Sequence, residues 1–115
     1  MALSGIALIT GGAGFVGSHI ATALVDAGAR VRVVDDLSTG YLKNLSHIES
    51  KIDFIEGSVG DAATLRSALR DVEWVFHEAA IPSVPRSVDR PRESHDASVN
   101  ATFALLLAAR DQKVR

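Results

Sequence analysis

The chain has no cysteine in its 115 residues. Disulfide frameworks, thiol redox motifs and thiolate metal sites are therefore excluded. An excess of one charge is also missing: 12 Lys and Arg against 14 Asp and Glu leave a formal net charge of −2. That balance gives no basic footprint for nucleic acid or an anionic membrane. Lys43, Arg86, Arg90 and Arg92 are interleaved with acids, as on a solvated surface. No apolar run approaches the ~18 residues of a membrane-spanning helix. The first residues lack the charged start and cleavage region of a secretory signal, so a cytoplasmic location is expected. Proline is scarce, and its three copies (Pro82, Pro85 and Pro91) fall in one late stretch. There is no linker, repeat or low-complexity tract, and 47% hydrophobic residues suffice for one globular domain over residues 1–115.

What the chain does have is glycine at one chosen place. Residues 10–20 read Thr-Gly-Gly-Ala-Gly-Phe-Val-Gly-Ser-His-Ile, directly after the apolar run Ile6-Ala7-Leu8-Ile9. Gly11, Gly14 and Gly17 thus fall where a buried strand turns into a helix. Gly11 permits the tight turn, Gly14 lets the backbone approach a pyrophosphate, and Gly17 allows the helix to pack closely on the strand. The helix N-terminus favours an anion. A second strand, Val31–Val34, ends in Asp35-Asp36. An acid about 20 positions beyond the glycines, at a strand tip, is placed to accept hydrogen bonds from an adenine ribose. The alternative is a structural glycine turn with no nucleotide.

Strand and helix signals alternate along the rest of the chain. Strands are expected at Ile6–Ile9, Val31–Asp35, Ile52–Glu56 and Val72–His77. A helix is expected from Gly14 to Ala27, with Val16, Ile20, Leu24 and Ala27 as its apolar face and Gly28 as its stop. Leu37–Leu45 reads as a turn-rich loop with at most a short helix. Asp61 is a natural N-cap for a helix over Ala62–Arg70. The prolines keep the stretch after the fourth strand extended or turned, and a last helix runs from about Glu93 to Asp111. Strands apolar nearly throughout, separated by amphipathic helices, imply a parallel sheet covered on both faces. Right-handed crossovers give a Rossmann-type α/β half fold of four strands in the order 3-2-1-4. Ligand contacts belong outside the carboxyl ends of the strands, where the order reverses.

The Gly-x-x-Gly-x-x-Gly spacing resembles the short-chain dehydrogenase/reductase superfamily. Thr-Gly-Gly-Ala-Gly-Phe-Val-Gly-Ser-His is similar to its extended branch, the NAD-dependent sugar-nucleotide epimerases and dehydratases. Val-Val-Asp-Asp-Leu-Ser-Thr-Gly at 33–40, Phe-Ile-Glu-Gly at 54–57 and Val-Phe-His-Glu-Ala-Ala at 75–80 agree. Ser-Val-Pro-Arg-Ser at 83–87 and Leu-Leu-Ala-Ala-Arg-Asp at 106–111 most resemble UDP-glucose and UDP-N-acetylglucosamine 4-epimerases. The resemblance runs from about Ile6 to the last residue and covers only the front of that family's fold.

The resemblance implies a set of cofactor contacts, carried over position by position. With the three glycines, these are Phe15 and Val16 in the phosphate loop, and Asp35, Asp36, Leu37, Ser38, Thr39 and Gly40 around the adenosine. Ser58 and Val59 follow the third strand. Ala79, Ala80 and Ile81 lie along the nicotinamide-side ribose, though ordinary packing accounts for the two alanines equally well. The Asp35 carboxylate suits a ribose 2′-hydroxyl and repels a 2′-phosphate, so NAD is expected over NADP. Two positions depart from the family. Ser58 stands where it usually has an Asp that accepts from the adenine amino group, and Ser98 where an Asn commonly contacts the cofactor. Each change weakens binding by about 1 kcal/mol if the lost bond is not replaced.

Other polar residues read as structure. His19, His47, His77 and His95 show no ligand spacing, so no metal is expected, and His77 is a satisfied, half-buried histidine rather than a general base. Ser83 and Ser87 near Arg86 read as a surface loop, with a substrate phosphate or sugar as the alternative. Trp74 and Phe76, alternating with Val75 in a strand, are expected in the core. The resembled enzymes do their proton chemistry with a Tyr-x-x-x-Lys pair. Here the one tyrosine is Tyr41, and position 45 is leucine. The family's fifth strand and catalytic pair would follow Arg115. The expectation is therefore an NAD-binding half of an epimerase-like protein, from a truncated gene product or a fragment, without catalysis alone. A structural remnant of the fold, or a subunit completed by a separate chain, is the alternative. In the complete protein a nucleotide-sugar would be the further partner. Self-association is expected through the fourth strand's edge or the last helix.

Overall fold

The apolar runs form a single parallel sheet because each is hydrophobic on both faces and must be covered twice. The computed structural model describes residues 5–79 and 88–114, with all side chains among them except those of Ser94, Ala97 and Ser98. The strands are β1 (Ile6–Thr10), β2 (Arg30–Asp35), β3 (Ile52–Glu56) and β4 (Val72–His77). Their order is β3-β2-β1-β4, and every pairing is parallel. The central strand β1 is buried along its whole length. Its successive residues feed opposite cores: Leu8 joins Val34, Leu65, Leu69 and Leu105 on one face, and Ile9 joins Ala21, Val33, Leu45 and Ile48 on the other. Val75 and Phe76 pack against these two cores, while Trp74 is half-buried.

Helix α1 (Phe15–Asp26) departs from the expected apolar face. Its buried residues are Gly17, Ser18 and Ala21, with Ile20, Leu24 and Val25 packed alongside, whereas Val16 and Ala27 are exposed. The cause is the closeness of α1 to the β1–α1 turn: a Cβ at Gly17 would overlap the Gly11 carbonyl oxygen, well inside van der Waals contact. Only small residues fit on the near side, and Val16 is rotated out. The stop is as expected. Gly28 adopts φ +85°, and the amides of Gly28 and Ala29 donate back to Val25 O and Leu24 O, both at 3.0 Å.

Three further elements differ from the sequence expectation. The segment Leu42–Lys51 is a 3-10 helix, reaching well past the expected loop. Leu45 and Ile48, one 3-10 turn apart, are its buried residues. Helix α2 (Ala62–Ala68) ends two residues early, and Asp61 caps it by accepting from the Thr64 amide at 2.9 Å. The last helix runs without a gap from Pro91 to Asp111 but changes winding on the way. It consists of α3 (Pro91–His95), a π-helical turn (Asp96–Asn100) and α4 (Ala101–Asp111). Ala101 and Leu105 of α4 are buried against the sheet.

Arg32 fastens α2 to β2. Its Nη1 donates to Ala68 O at 2.8 Å and Arg70 O at 2.7 Å, and its Nε donates to Asp53 Oδ2 at 2.9 Å. One half-buried guanidinium thus satisfies carbonyls that the helix end leaves without partners.

Candidate functional site

The turn from β1 into α1 lies at the carboxyl edge of the sheet, beside the ends of β2, β3 and β4. Gly11 takes φ +67°, and its missing side chain lets the chain after β4 pass, since a Cβ there would stand 2.8 Å from Ala79 Cα. Gly14 is the N-cap of α1 and leaves open space above it: a Cβ would meet only Gly11 O, at 3.3 Å. The helix has no side-chain cap and no acid in its first turn. Its leading amides therefore face outward without an acceptor from the helix itself.

Asp35 ends β2 and is only 8% exposed. Its Oδ2 accepts from the Ala13 amide at 2.9 Å and its Oδ1 from the Leu37 amide at 2.7 Å. The carboxylate thus ties the glycine turn to the second strand, and each oxygen retains a further lone pair for a ligand hydroxyl. It also holds Leu37 at φ +62°, a backbone region that branched, bulky residues seldom occupy. Asp36 Oδ1 accepts from the Ser38 amide at 2.9 Å. The Gly57 amide donates to Asp35 O at 3.1 Å, which fixes the end of β3 against the end of β2.

These elements surround a cleft of about 440 Å³. Gly11, Gly14, Phe15, Val16, Gly17, Asp35, Asp36, Ser38, Thr39, Ser58, Val59 and Ala79, all expected from sequence, line it. Leu37 and Gly40 do not: Leu37 packs into the core beside α1, and Gly40 is buried against the backbone of Ala13 and Gly14. Ala80 and Ile81 lie outside the described residues, as does the side chain of Ser98; Ser83, Arg86 and Ser87 lie outside them too. Val34, Gly57, Glu78 and Ala101 line the cleft without having been expected. Val34 and Gly57 adjoin expected residues at strand ends. Glu78 carries no motif, and Ala101 reaches the cleft only because α4 folds back onto the sheet.

Among the described residues, the lining holds three carboxylates, Asp35, Asp36 and Glu78, and no lysine or arginine. Among these residues, a bound phosphate is met by the amides and dipole of α1. The open floor at Gly14, the uncapped helix start and the acid at the β2 tip suit a dinucleotide with hydroxyl-bearing riboses.

His77, at the end of β4, borders this region. Its Nδ1 lies 2.6 Å from Thr10 Oγ1 and its Nε2 lies 2.8 Å from Thr102 Oγ1. Burial holds the imidazole below its ordinary pKa, against a smaller opposing effect of the Glu78 charge. Tyr41 is far more open, 64% exposed, with the Lys43 ammonium 5.5 Å from its ring centroid. Among the described residues, no cluster of His, Asp or Glu could hold a metal ion. None of their helices is long and apolar enough to cross a membrane.

Comparison with known proteins decides the family. The sequence profile of GDP-mannose 4,6 dehydratase matches residues 8–115. The chain belongs to this family. It is 39% identical to a UDP-glucose 4-epimerase of Streptomyces lividans, over 98% of this chain and 34% of that protein. The UDP-glucose 4-epimerase of Thermus thermophilus, solved in complex with NAD, superposes with a TM-score of 0.88 at 34% identity. It is matched over 96% of this chain and 35% of that one. The UDP-N-acetylglucosamine 4-epimerase of Methanobrevibacter ruminantium M1, solved with UDP-N-acetylmuramic acid, has the same TM-score of 0.88 at 35% identity. Here 99% of this chain and 36% of that one are covered. The chain thus spans about a third of the length of these relatives, and it corresponds to the N-terminal, NAD-binding part of the family's nucleotide-sugar epimerases and dehydratases.

Proposed function

We propose that this chain binds NAD in the cleft at the carboxyl ends of β1–β4, as the dinucleotide-holding part of a nucleotide-sugar epimerase or dehydratase. The observation that carries this is the meeting of Gly14, at the uncapped start of α1, with Asp35, at the tip of β2, in one cleft. The pyrophosphate lies over the amides of Phe15 and Val16, the adenosine ribose at Asp35 and Asp36, and the adenine toward Ser58 and Val59. The nicotinamide side runs toward Ala79. NAD supplies a hydride-accepting ring when bound, and the residues of this chain bind and orient it. A nucleotide-sugar is the substrate class of the whole protein. Activity on it belongs with a tyrosine base, and exposed Tyr41, beside the adenosine loop, is not placed to serve as one.

Isothermal titration calorimetry with NAD, NADP and AMP tests the binding. NAD is expected to bind, and NADP about tenfold more weakly or worse, because a 2′-phosphate would face Asp35 and Asp36. No heat at millimolar NAD would refute the assignment. Self-association is part of the same proposal, with a second copy covering the exposed face of α4.

A further inference from the structure

Ser58 lines the cleft just after the end of β3, where the cofactor reading puts the base, and hydrogen bonds fix its position. It opens a turn in which the Asp61 amide donates to Ser58 O at 3.0 Å and the Gly60 amide donates to Ser58 Oγ at 3.1 Å. Gly57, just before it, is bound to the end of β2 through Asp35 O. The hydroxyl is therefore held at the rim of the cleft, exposed, with one lone pair used. Its proton and its second lone pair remain for a ligand.

A hydroxyl in that state can act either way. It accepts from the amino group of a 6-aminopurine, or it rotates and donates to the carbonyl oxygen of a 6-oxopurine. A carboxylate at the same place could only accept, and would repel the oxo group. Among the described residues, the other side chains near this end of the cleft do not replace such a carboxylate. Val34 and Val59 are apolar, Asp35 braces the glycine turn and faces the ribose in the cofactor reading, and Asp36 accepts from the Ser38 amide.

We propose that Ser58 makes the site indifferent to the purine of the dinucleotide, so that a hypoxanthine dinucleotide binds as well as NAD. This rests on the cofactor reading above. Discrimination between ligands that differ by one hydrogen-bonding group is strong only where the site leaves a polar partner unsatisfied. With Ser58, neither purine leaves one.

The test compares the dissociation constants of NAD and nicotinamide hypoxanthine dinucleotide by calorimetry on the whole chain. Wild type is expected to bind the two within about threefold. Ser58→Asp retains the turn, because a carboxylate also accepts from the Gly60 amide, and is expected to favour NAD by about tenfold or more. Ser58→Asn, which can donate and accept, is expected to remain within about threefold. A wild type that already prefers NAD by about tenfold overturns the inference, as does a Ser58→Asp ratio unchanged from wild type. Failure of wild type to bind either dinucleotide is a different result: it overturns the cofactor reading, and the purine inference with it.

Discussion

Thr10 Oγ1 and His77 Nδ1 meet at 2.6 Å across the junction of β1 and β4. The same hydroxyl accepts from the amides of Glu78 at 3.0 Å and Ala79 at 3.1 Å, so its one proton must go to the imidazole. Nδ1 is then the acceptor, and Nε2 carries the proton that it donates to Thr102 Oγ1 at 2.8 Å. A single neutral tautomer connects the central strand, its neighbour, the loop after it and the last helix. This network shapes the side of the cleft where the chain leaves the sheet.

Removing the hydroxyl should therefore destabilise more than a lost methyl. Thr10→Val keeps the shape but leaves the Ala79 amide and a ring nitrogen without their partner at a fully buried residue, while the Glu78 amide keeps only Thr10 O at 3.0 Å. A loss of about 2 kcal/mol or more is expected by urea denaturation, with Thr10→Ser recovering most of it. A Thr10→Val variant as stable as wild type would show that the network contributes nothing.

The imidazole also makes stability depend on pH. Burial lowers the folded pKa of His77 below its ordinary value of about 6.5. As pH falls through that value, the unfolded chain takes up the proton first. The contribution is thus complete above about pH 6.5 and is lost as pH falls toward the folded pKa. Protonation would also place a donor at Nδ1 against a hydroxyl already accepting twice. The urea midpoint should fall between pH 7.5 and 5.5, to a greater degree in wild type than in His77→Gln. Equal slopes would refute the assignment.

Two glycines of the turn should separate folding from binding. Gly17→Ala places a methyl against the Gly11 carbonyl, which is backbone and cannot yield cheaply, so a loss of about 2–3 kcal/mol in stability is expected. Gly14→Ala meets only Gly11 O at 3.3 Å and projects into open space, so the fold should survive with a change below about 1 kcal/mol. NAD affinity should nevertheless fall by about tenfold in Gly14→Ala, because the methyl occupies the pyrophosphate volume. Thermal melts alongside calorimetry check both. Undiminished affinity in Gly14→Ala would move the pyrophosphate elsewhere.

Much of this architecture was legible because its signals are local. Apolar runs gave the strands, Gly28 the stop of α1 and Asp61 the cap of α2, each within a few residues of the element it governs. The missed features depend on partners far away in the chain. Leu42–Lys51 is held by Asn44 Nδ2 donating to Ala13 O at 2.8 Å and by the pair Thr22–His47 at 2.8 Å, both spanning the first crossover. The rotation of Val16 out of the core follows from how closely Gly17 lets α1 approach the turn. Asp35 was legible as a ribose acceptor by its place at a strand tip. Its second task, bracing Ala13 and Leu37, required the two loops to be seen side by side.

Arg32 offers a test of fastening independent of the cleft. Its side chain is 12% exposed while that of Asp53 is 64% exposed, so the ion pair is largely screened and the bonds to the α2 carbonyls dominate. Arg32→Ala is expected to lose about 2 kcal/mol, and Asp53→Ala less than about 1 kcal/mol. Equal losses would assign the stability to the ion pair instead.

The last prediction concerns assembly. On α4, Ala101 and Leu105 are buried, which places Phe103 and Leu106, together with Val99 of the preceding π-helical turn, on the outer side at 62%, 63% and 51% exposure. Their spacing of four and three residues makes one continuous apolar stripe on the outer side of the last helix. The strand β4 is an edge of the sheet as well, with no strand paired beyond it among the described residues. A contiguous apolar surface of this kind gains from being covered, and a second copy brings the same stripe to meet it about a twofold axis. Light scattering coupled to size exclusion is expected to show a dimer whose fraction rises with concentration. Phe103→Glu with Leu106→Glu should return it to monomer with little loss in thermal stability, since neither side chain is part of the core. A wild-type monomer at high concentration would refute the assembly, whatever the outcome for NAD.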